Sequence, residues 1–120
     1  MHINESGYKS YVANVNIPAG TAVKLSGGKV VASAAATDLT IGTIHADAKA
    51  NQAIDVRLRS AQGTLNIVAG GAIAVGDAVT ANASGLGVAT TTTGNHIIGY
   101  ALEAVSSGAW VELLPTMAKY

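Results

Sequence analysis

The sequence predicts an all-β protein: a small β-barrel or sandwich built from two tandem pseudo-repeats, with an extended N-terminal arm. Three observations carry this. A glycine-punctuated motif occurs twice, Gly20 to Gly76 being 56 positions apart and Gly42 to Gly99 being 57. Short aliphatic runs bounded by Gly, Asn, Ser or Pro recur every 8 to 12 residues or so, the spacing of strands in sandwiches and barrels. Each half is too small to close a core alone, so the halves are expected to pack on each other in one compact body.

The first copy reads Ile17-Pro18-Ala19-Gly20-Thr21-Ala22-Val23, then Gly27-Gly28-Lys29-Val30-Val31-Ala32, Ile41-Gly42 and the alternating run Ile54-Asp55-Val56-Arg57-Leu58. The second reads Ile73-Ala74-Val75-Gly76-Asp77-Ala78-Val79, then Gly85-Leu86-Gly87-Val88-Ala89, Ile98-Gly99 and Val111-Glu112-Leu113. Strands are predicted over 12–17, 22–25, 29–32, 41–45, 53–59, 64–68, 78–81, 87–91, 97–103 and 109–114, with the repeats spanning about 12–60 and 61–114. Gly27-Gly28 and Ser84-Gly85 read as hairpin turns, because glycine supplies positive φ at little steric cost. The segments 33–37 and 90–94 correspond to each other and read as loops at one end of the barrel. Residues 1–11 have no repeat partner and read as an arm ahead of a single domain over 12–120. That arm carries Ile3, Tyr8 and Tyr11, more apolar material than a solvated tail tends to hold. In the last strand, alternation turns Val111 and Leu113 inward together with Ile54, Val56 and Leu58 of the first half. It turns Trp110 outward with Glu112 and Leu114, which makes Trp110 the candidate subunit-interface anchor; with the alternation read one residue out, Trp110 would instead fill the barrel.

Composition narrows the function classes. The chain of 120 residues has seven basic and seven acidic residues, so the basic stripe of a nucleic-acid binder is missing. The charges are segregated: Lys9, Lys24, Lys29, Lys49, Arg57 and Arg59 precede residue 60, while 60–118 holds Asp77, Glu103 and Glu112 and no Lys or Arg. Subunits of this chain would therefore meet positive half to negative half. With no cysteine, disulfides and Cys-based zinc sites are excluded. No apolar run reaches the roughly 18 residues of a membrane-spanning helix, and the first residues lack the basic and apolar regions of a signal peptide, so synthesis and folding in a cytoplasm are expected.

The residues offer little chemistry. His45 and Asp47 share a strand face as two of the ligands a metal would need, without a visible third. No Gly-x-Ser-x-Gly frames a nucleophile, and Gly85-Leu86-Gly87 and Gly27-Gly28-Lys29 lack the remainder of a dinucleotide fingerprint and of a P-loop. The carboxylates are scattered singly. No catalytic residue, cofactor site or metal site is assigned, and no enzyme activity is expected.

Taken in order, Ile17-Pro18-Ala19-Gly20-x-Ala22-Val23, Gly28-x-Val30-Val31-Ala32, Ile41-Gly42, Gly63-x-Leu65, Ile73-x-x-Gly76-Asp77-Ala78-Val79, Ile98-Gly99-x-Ala101-Leu102-Glu103 and Gly108-Ala109-x-Val111-x-Leu113 resemble the small capsid decoration, or cement, proteins of tailed bacteriophages. The resemblance covers about residues 12–114. It implies a β-barrel or sandwich subunit that forms a homotrimer on the outer surface of a phage head, binds the major capsid protein and braces the shell. The protein would then be made in the host bacterial cytoplasm and reside in the virion, with neither nucleic acid nor membrane as partner. An arm reaching onto neighbouring capsid subunits suits that role, with Ile3, Tyr8 and Tyr11 as its anchors, although residues 1–11 match no motif of the family. The alternative is a carbohydrate-binding or adhesion module of a phage tail or fibre, which would normally display aromatic platforms in its loops. The Gly-x-Ala-Val turns also resemble biotinyl and lipoyl carrier domains, but Lys29, the one candidate for modification, has the wrong neighbours.

Overall fold

Glycine and asparagine turns cut the chain into short strands. The computed structural model describes residues 7–60 and 63–120, and among these it contains strands and no helix. The strands are β1 (Tyr8–Val12), β2 (Ala22–Ser26), β3 (Lys29–Ala32), β4 (Gly42–Thr43), β5 (Ala53–Leu58), β6 (Leu65–Val68), β7 (Ala78–Ala81), β8 (Gly87–Ala89), β9 (Gly99–Ala101) and β10 (Trp110–Pro115). Gly27 and Gly28, with φ of 59° and 80°, make the two-residue turn that pairs Ser26 with Lys29. In the second half the matching turn is longer. There the Asn82 side-chain oxygen accepts from the N–H groups of Ser84 and Leu86 at 2.8 and 3.0 Å.

The strands form two antiparallel five-stranded sheets, ordered β1-β5-β4-β2-β3 and β6-β10-β9-β7-β8. Adding five to each label of the first order gives the second, so the duplication seen in the sequence is a duplication of whole sheets.

The strand expected over 12–17 is misplaced. The paired strand is Tyr8–Val12, which runs antiparallel to β5 with Tyr8 opposite Arg57 and Val12 opposite Ala53. The repeat starts at Gly7, whose φ of 81° matches the 91° of Gly63. Tyr8-Lys9-Ser10-Tyr11-Val12 then corresponds to Thr64-Leu65-Asn66-Ile67-Val68. The polar first copy hides the pattern: Leu65 and Ile67 are fully buried, whereas Lys9 is exposed and Tyr11 only half-buried. Residues 8–11 thus belong to the sheet rather than to an arm, and Ile3 lies outside the described residues.

Expectation and structure also differ over the core. Val23, Val30, Ile44 and Val56 form one buried cluster with Ala13, Ile17 and Ala48. Val111 and Leu113 form a second with Leu65, Ile67, Val79 and Ile98. The inward facing of Val56, Val111 and Leu113 is as the alternation predicts, but they face two cores, not one. Each sheet curls over its own cluster because the segment after its first strand folds back across it. Ile17 and Ala48 exchange backbone hydrogen bonds of 2.9 and 2.8 Å, and Ile73 and Val105 do the same at 3.0 and 2.9 Å. The end of each first strand touches the third, through the parallel bridges Ala13 to Val30 and Ala69 to Gly87. The molecule is a sandwich-like pair of curled sheets and not one closed barrel.

One charged side chain ties the two units. Arg59 is 3% exposed. It donates from Nη1 to the Thr40 carbonyl at 2.9 Å, from Nη2 to the Ile97 carbonyl, and from Nε and Nη2 to the Thr116 carbonyl at 3.1 and 2.6 Å. First half, second half and the segment after β10 are thereby joined through one guanidinium.

Candidate interaction surfaces

The seam between the halves sets what the surface presents. Gly20, with φ of 81°, carries no side chain where the second half comes closest: a Cβ there would lie 2.4 Å from Val68 Cγ2 and 3.0 Å from Trp110 Cη2. The Gly20 carbonyl accepts from the Val68 N–H at 2.9 Å, so the outer edge of β6 is hydrogen-bonded to the first half. On the far side of the seam, the Gly85 carbonyl accepts from the Ala22 N–H at 2.8 Å. A Cβ on Gly85 would meet Thr21 Cγ2 at 2.6 Å. These close approaches leave the hydroxyls of Thr21 and Thr43 buried without a hydrogen-bond partner among the described residues. An unsatisfied buried hydroxyl costs about 1–3 kcal/mol. Thr43→Val keeps the shape and removes the orphan, so it is expected to raise unfolding stability by about 1 kcal/mol in urea denaturation. A loss of stability instead would mean that the hydroxyl has a partner.

Trp110 faces outward, as the alternation predicts: it is 44% exposed between Val68 on the neighbouring strand and buried Val111. Its covered part lies on Gly20, and its ring is 6.2 Å from that of His45, tilted by 57°. Trp110 is therefore first a clamp across the seam, with its remaining surface open to a partner. Trp110→Ala would loosen the seam together with any subunit contact.

Tyr8 and Tyr11 are three residues apart on one strand and so point to opposite faces. The Tyr8 ring, 43% exposed, lies under the Arg57 guanidinium at 5.0 Å. With His45, Ala46, Ala53, Ile54 and Asp55 it lines a depression of about 400 Å³. Tyr11 lies on the other face beside Leu39, Leu58 and Met117, in a separate depression of about 200 Å³. A single groove on a partner cannot take both rings.

His45 and Asp47 do different work. Asp47 accepts the Ala19 N–H at 2.8 Å, which braces the loop before Gly20. The His45 imidazole is held below the ordinary histidine pKa, chiefly because it is partly withdrawn from water and also because Arg57 is near, against an opposing hydrogen bond with the Asn66 backbone. A neutral imidazole against an indole suits an apolar seam better than a charged one. Asp38 is held below its usual pKa, first by the Lys24 ammonium at 2.8 Å and then by the Ala34 N–H. Both acids are loop braces, and among the described residues no group of three His, Cys, Asp or Glu side chains converges as a metal site would require.

Nothing local in the sequence signals the burial of Arg59, and the seam residues Gly20 and Gly85 read as ordinary turn glycines. The difference in environment between Gly20 and Gly76 appears only once the halves are packed.

Residues 9–114 match a family model described as phage cement protein. Among solved structures, the N base of head fiber gp8.5 in bacteriophage phi29 superposes with a TM-score of 0.80 at 23% identity, covering 94% of this chain and 96% of that one. At that identity the likeness is one of fold. No curated protein matches the chain.

Proposed function

Because this chain belongs to the phage cement protein family, we propose that it decorates the outer surface of a phage head as a homotrimer, binds the major capsid protein there and stabilises the shell without catalysing a reaction. The observation that carries the reading is the family match over 9–114, which takes in both curled sheets and most of β1. The surface supports it. Val12, Val75, Tyr100, Leu102 and Trp110 are all more than a third exposed, apolar material that a partner would cover.

The mechanism is mechanical. A trimer that touches several capsid subunits gains from each contact once the first has formed, so individually weak contacts add up to firm cross-linking. The adhesion alternative needs a free aromatic platform. Here Tyr8 is overlaid by Arg57 and part of the Trp110 ring is laid on Gly20; Tyr100 and Tyr120 stay exposed beside one depression, so it is the family match that places the adhesion reading second.

The direct test mixes purified protein with expanded heads lacking it and measures co-sedimentation and resistance of the heads to heat. Saturable binding in hundreds of copies, with heads that survive higher temperature, is the expected result. Heads that neither bind the protein nor gain stability would overturn the reading.

A further inference from the structure

We propose that the open face of the second half, around Gly76, Tyr100 and Leu102, binds the β1 edge and the Gly27-Gly28 turn of a second copy of this chain. Between molecules this repeats the contact that joins the two halves within one. The inference deepens the self-association part of the reading above and rests on that part alone, not on capsid binding.

The two halves are equivalent through the repeat. Within the molecule, the first half offers Gly20, Thr21, Ala22, Thr43 and His45, and the second half covers them with Asn66, Val68, Gly85 and Trp110. Translated by the repeat, the same offering exists on the second half as Gly76, Asp77, Ala78, Tyr100 and Leu102, and the same cover exists on the first half as Ser10, Val12, Gly28 and Ala53. Apart from Ala78, which is buried, and Asp77, which is half-exposed, the translated positions are exposed in the single chain. Gly20 is buried, and a Cβ there would strike Val68; Gly76 is exposed, and a Cβ there would meet nothing within 4 Å. Gly85 is buried against Thr21; Gly28 is exposed with nothing within 4 Å of its own Cβ position. Thr43 is fully buried, whereas Tyr100 in its place is 42% exposed. Leu102 and Val12 are likewise open, at 45% and 38%. Gly76, Asp77, Ala78, Thr90 and Tyr100 line a depression of about 480 Å³, which the half-exposed Tyr120 of the same chain also borders. It lies where, on the first half, the Gly85 turn is seated against Thr21 and Ser33.

Backbone directions agree. Ala13 donates to Gln52 as its counterpart Ala69 donates to Ala109. Alternation along the strand then turns the N–H of Val12, like that of Val68, away from its sheet and off the edge. Val68 uses that direction to reach the Gly20 carbonyl, and Val12 has the same reach toward the Gly76 carbonyl of a neighbour. Charge favours the same pairing. Lys29 flanks the entering turn and Asp77 lines the receiving depression, within a chain whose first half is basic and whose second half is acidic. Because face meets a different face, the contact is heterologous, and copies joined this way close into a ring when the rotation between halves divides the circle.

The chain has no cysteine, so introduced thiols report without background. His45 and Trp110, whose rings are 6.2 Å apart across the seam, translate to Leu102 and Ala53. Ala53→Cys and Leu102→Cys chains carrying different tags are co-expressed, co-purified and treated with a short bis-maleimide. The expected product is a covalent dimer of the two tags, mapped by mass spectrometry to a link between positions 53 and 102, with no dimer from either variant alone. Leu102→Asp, at an exposed position, should keep the β circular-dichroism spectrum and reduce the oligomer fraction in light scattering at least tenfold. Dimers from one variant alone would show a two-fold face and overturn the proposal. So would a stable oligomer that yields no 53-to-102 link, or one untouched by Leu102→Asp; in both cases self-association itself would stand. A wild-type chain that stays monomeric at every concentration and on heads would remove both.

Discussion

Arg59→Ala is expected to lower the unfolding free energy by about 3–5 kcal/mol, the cost of leaving several buried carbonyls without donors. Arg59 makes four hydrogen bonds to the carbonyls of Thr40, Ile97 and Thr116 from a side chain that is 3% exposed. Hydrogen bonds from a charged donor contribute about 1.5–3 kcal/mol each, and the carbonyls left behind would be buried without donors. The guanidinium has a cost of its own, since burial pulls its pKa below the ordinary arginine value. The carbonyl fork offsets that cost because three acceptors from three segments converge on donors fixed in one plane. Arg59→Lys tests the fork separately from the charge: a flexible ammonium keeps the charge but loses the planar donors, so it should recover less than half of the loss. In thermal unfolding, Arg59→Ala should lower Tm by more than about 10 °C. A loss under about 1 kcal/mol would show that water readily replaces the guanidinium in its seat.

What the sequence made legible follows from where local chemistry decides structure. Positive-φ turns are local, so Gly27-Gly28 and the region of Ser84-Gly85 mark hairpins without reference to the rest of the chain. Facing is local too, and the period of two put Val111 and Leu113 inside and Trp110 outside. β1 escaped because its outward face is Tyr8, Ser10 and Val12 and its inward face begins with Lys9. Lys9 is exposed and Tyr11 half-buried where their counterparts Leu65 and Ile67 are fully buried, so the first copy of this strand tolerates polar residues that the second does not. The number of cores was not legible for a different reason. Whether two half-sized sheets share one core or curl over two depends on the loop returning across each sheet, which is the Ile17 to Ala48 pairing and not any run of residues. The burial of Arg59 depends on three carbonyls from distant segments, and no spacing announces that.

The asymmetry between Gly20 and Gly76 yields the second large effect. Both are turn glycines in the left-handed region, with φ of 81° and 84°. Alanine at either position incurs the same backbone strain, about 1–2 kcal/mol. Only at Gly20 does the new methyl meet the other half, 2.4 Å from Val68 Cγ2 and 3.0 Å from Trp110 Cη2. Overpacking of that kind adds about 1–3 kcal/mol. Gly20→Ala should therefore cost about 2–5 kcal/mol in denaturant unfolding under monomeric conditions and Gly76→Ala about 1–2. The difference measures the seam and not the turn. Val68→Ala supplies the check, because it removes the methyl that the new Cβ would strike. In a double-mutant cycle, Gly20→Ala should be markedly less harmful in that background. Equal losses for Gly20→Ala and Gly76→Ala, with no coupling to Val68, would mean that the halves are not packed through Gly20. Under assembling conditions the ranking should change: if Gly76 receives the β1 edge of a neighbour as Gly20 receives β6, Gly76→Ala leaves the isolated chain nearly intact and dissociates the oligomer. A Gly76→Ala chain that assembles as tightly as the wild type would separate the two glycines, leaving the seam within the molecule in place and removing its copy between molecules.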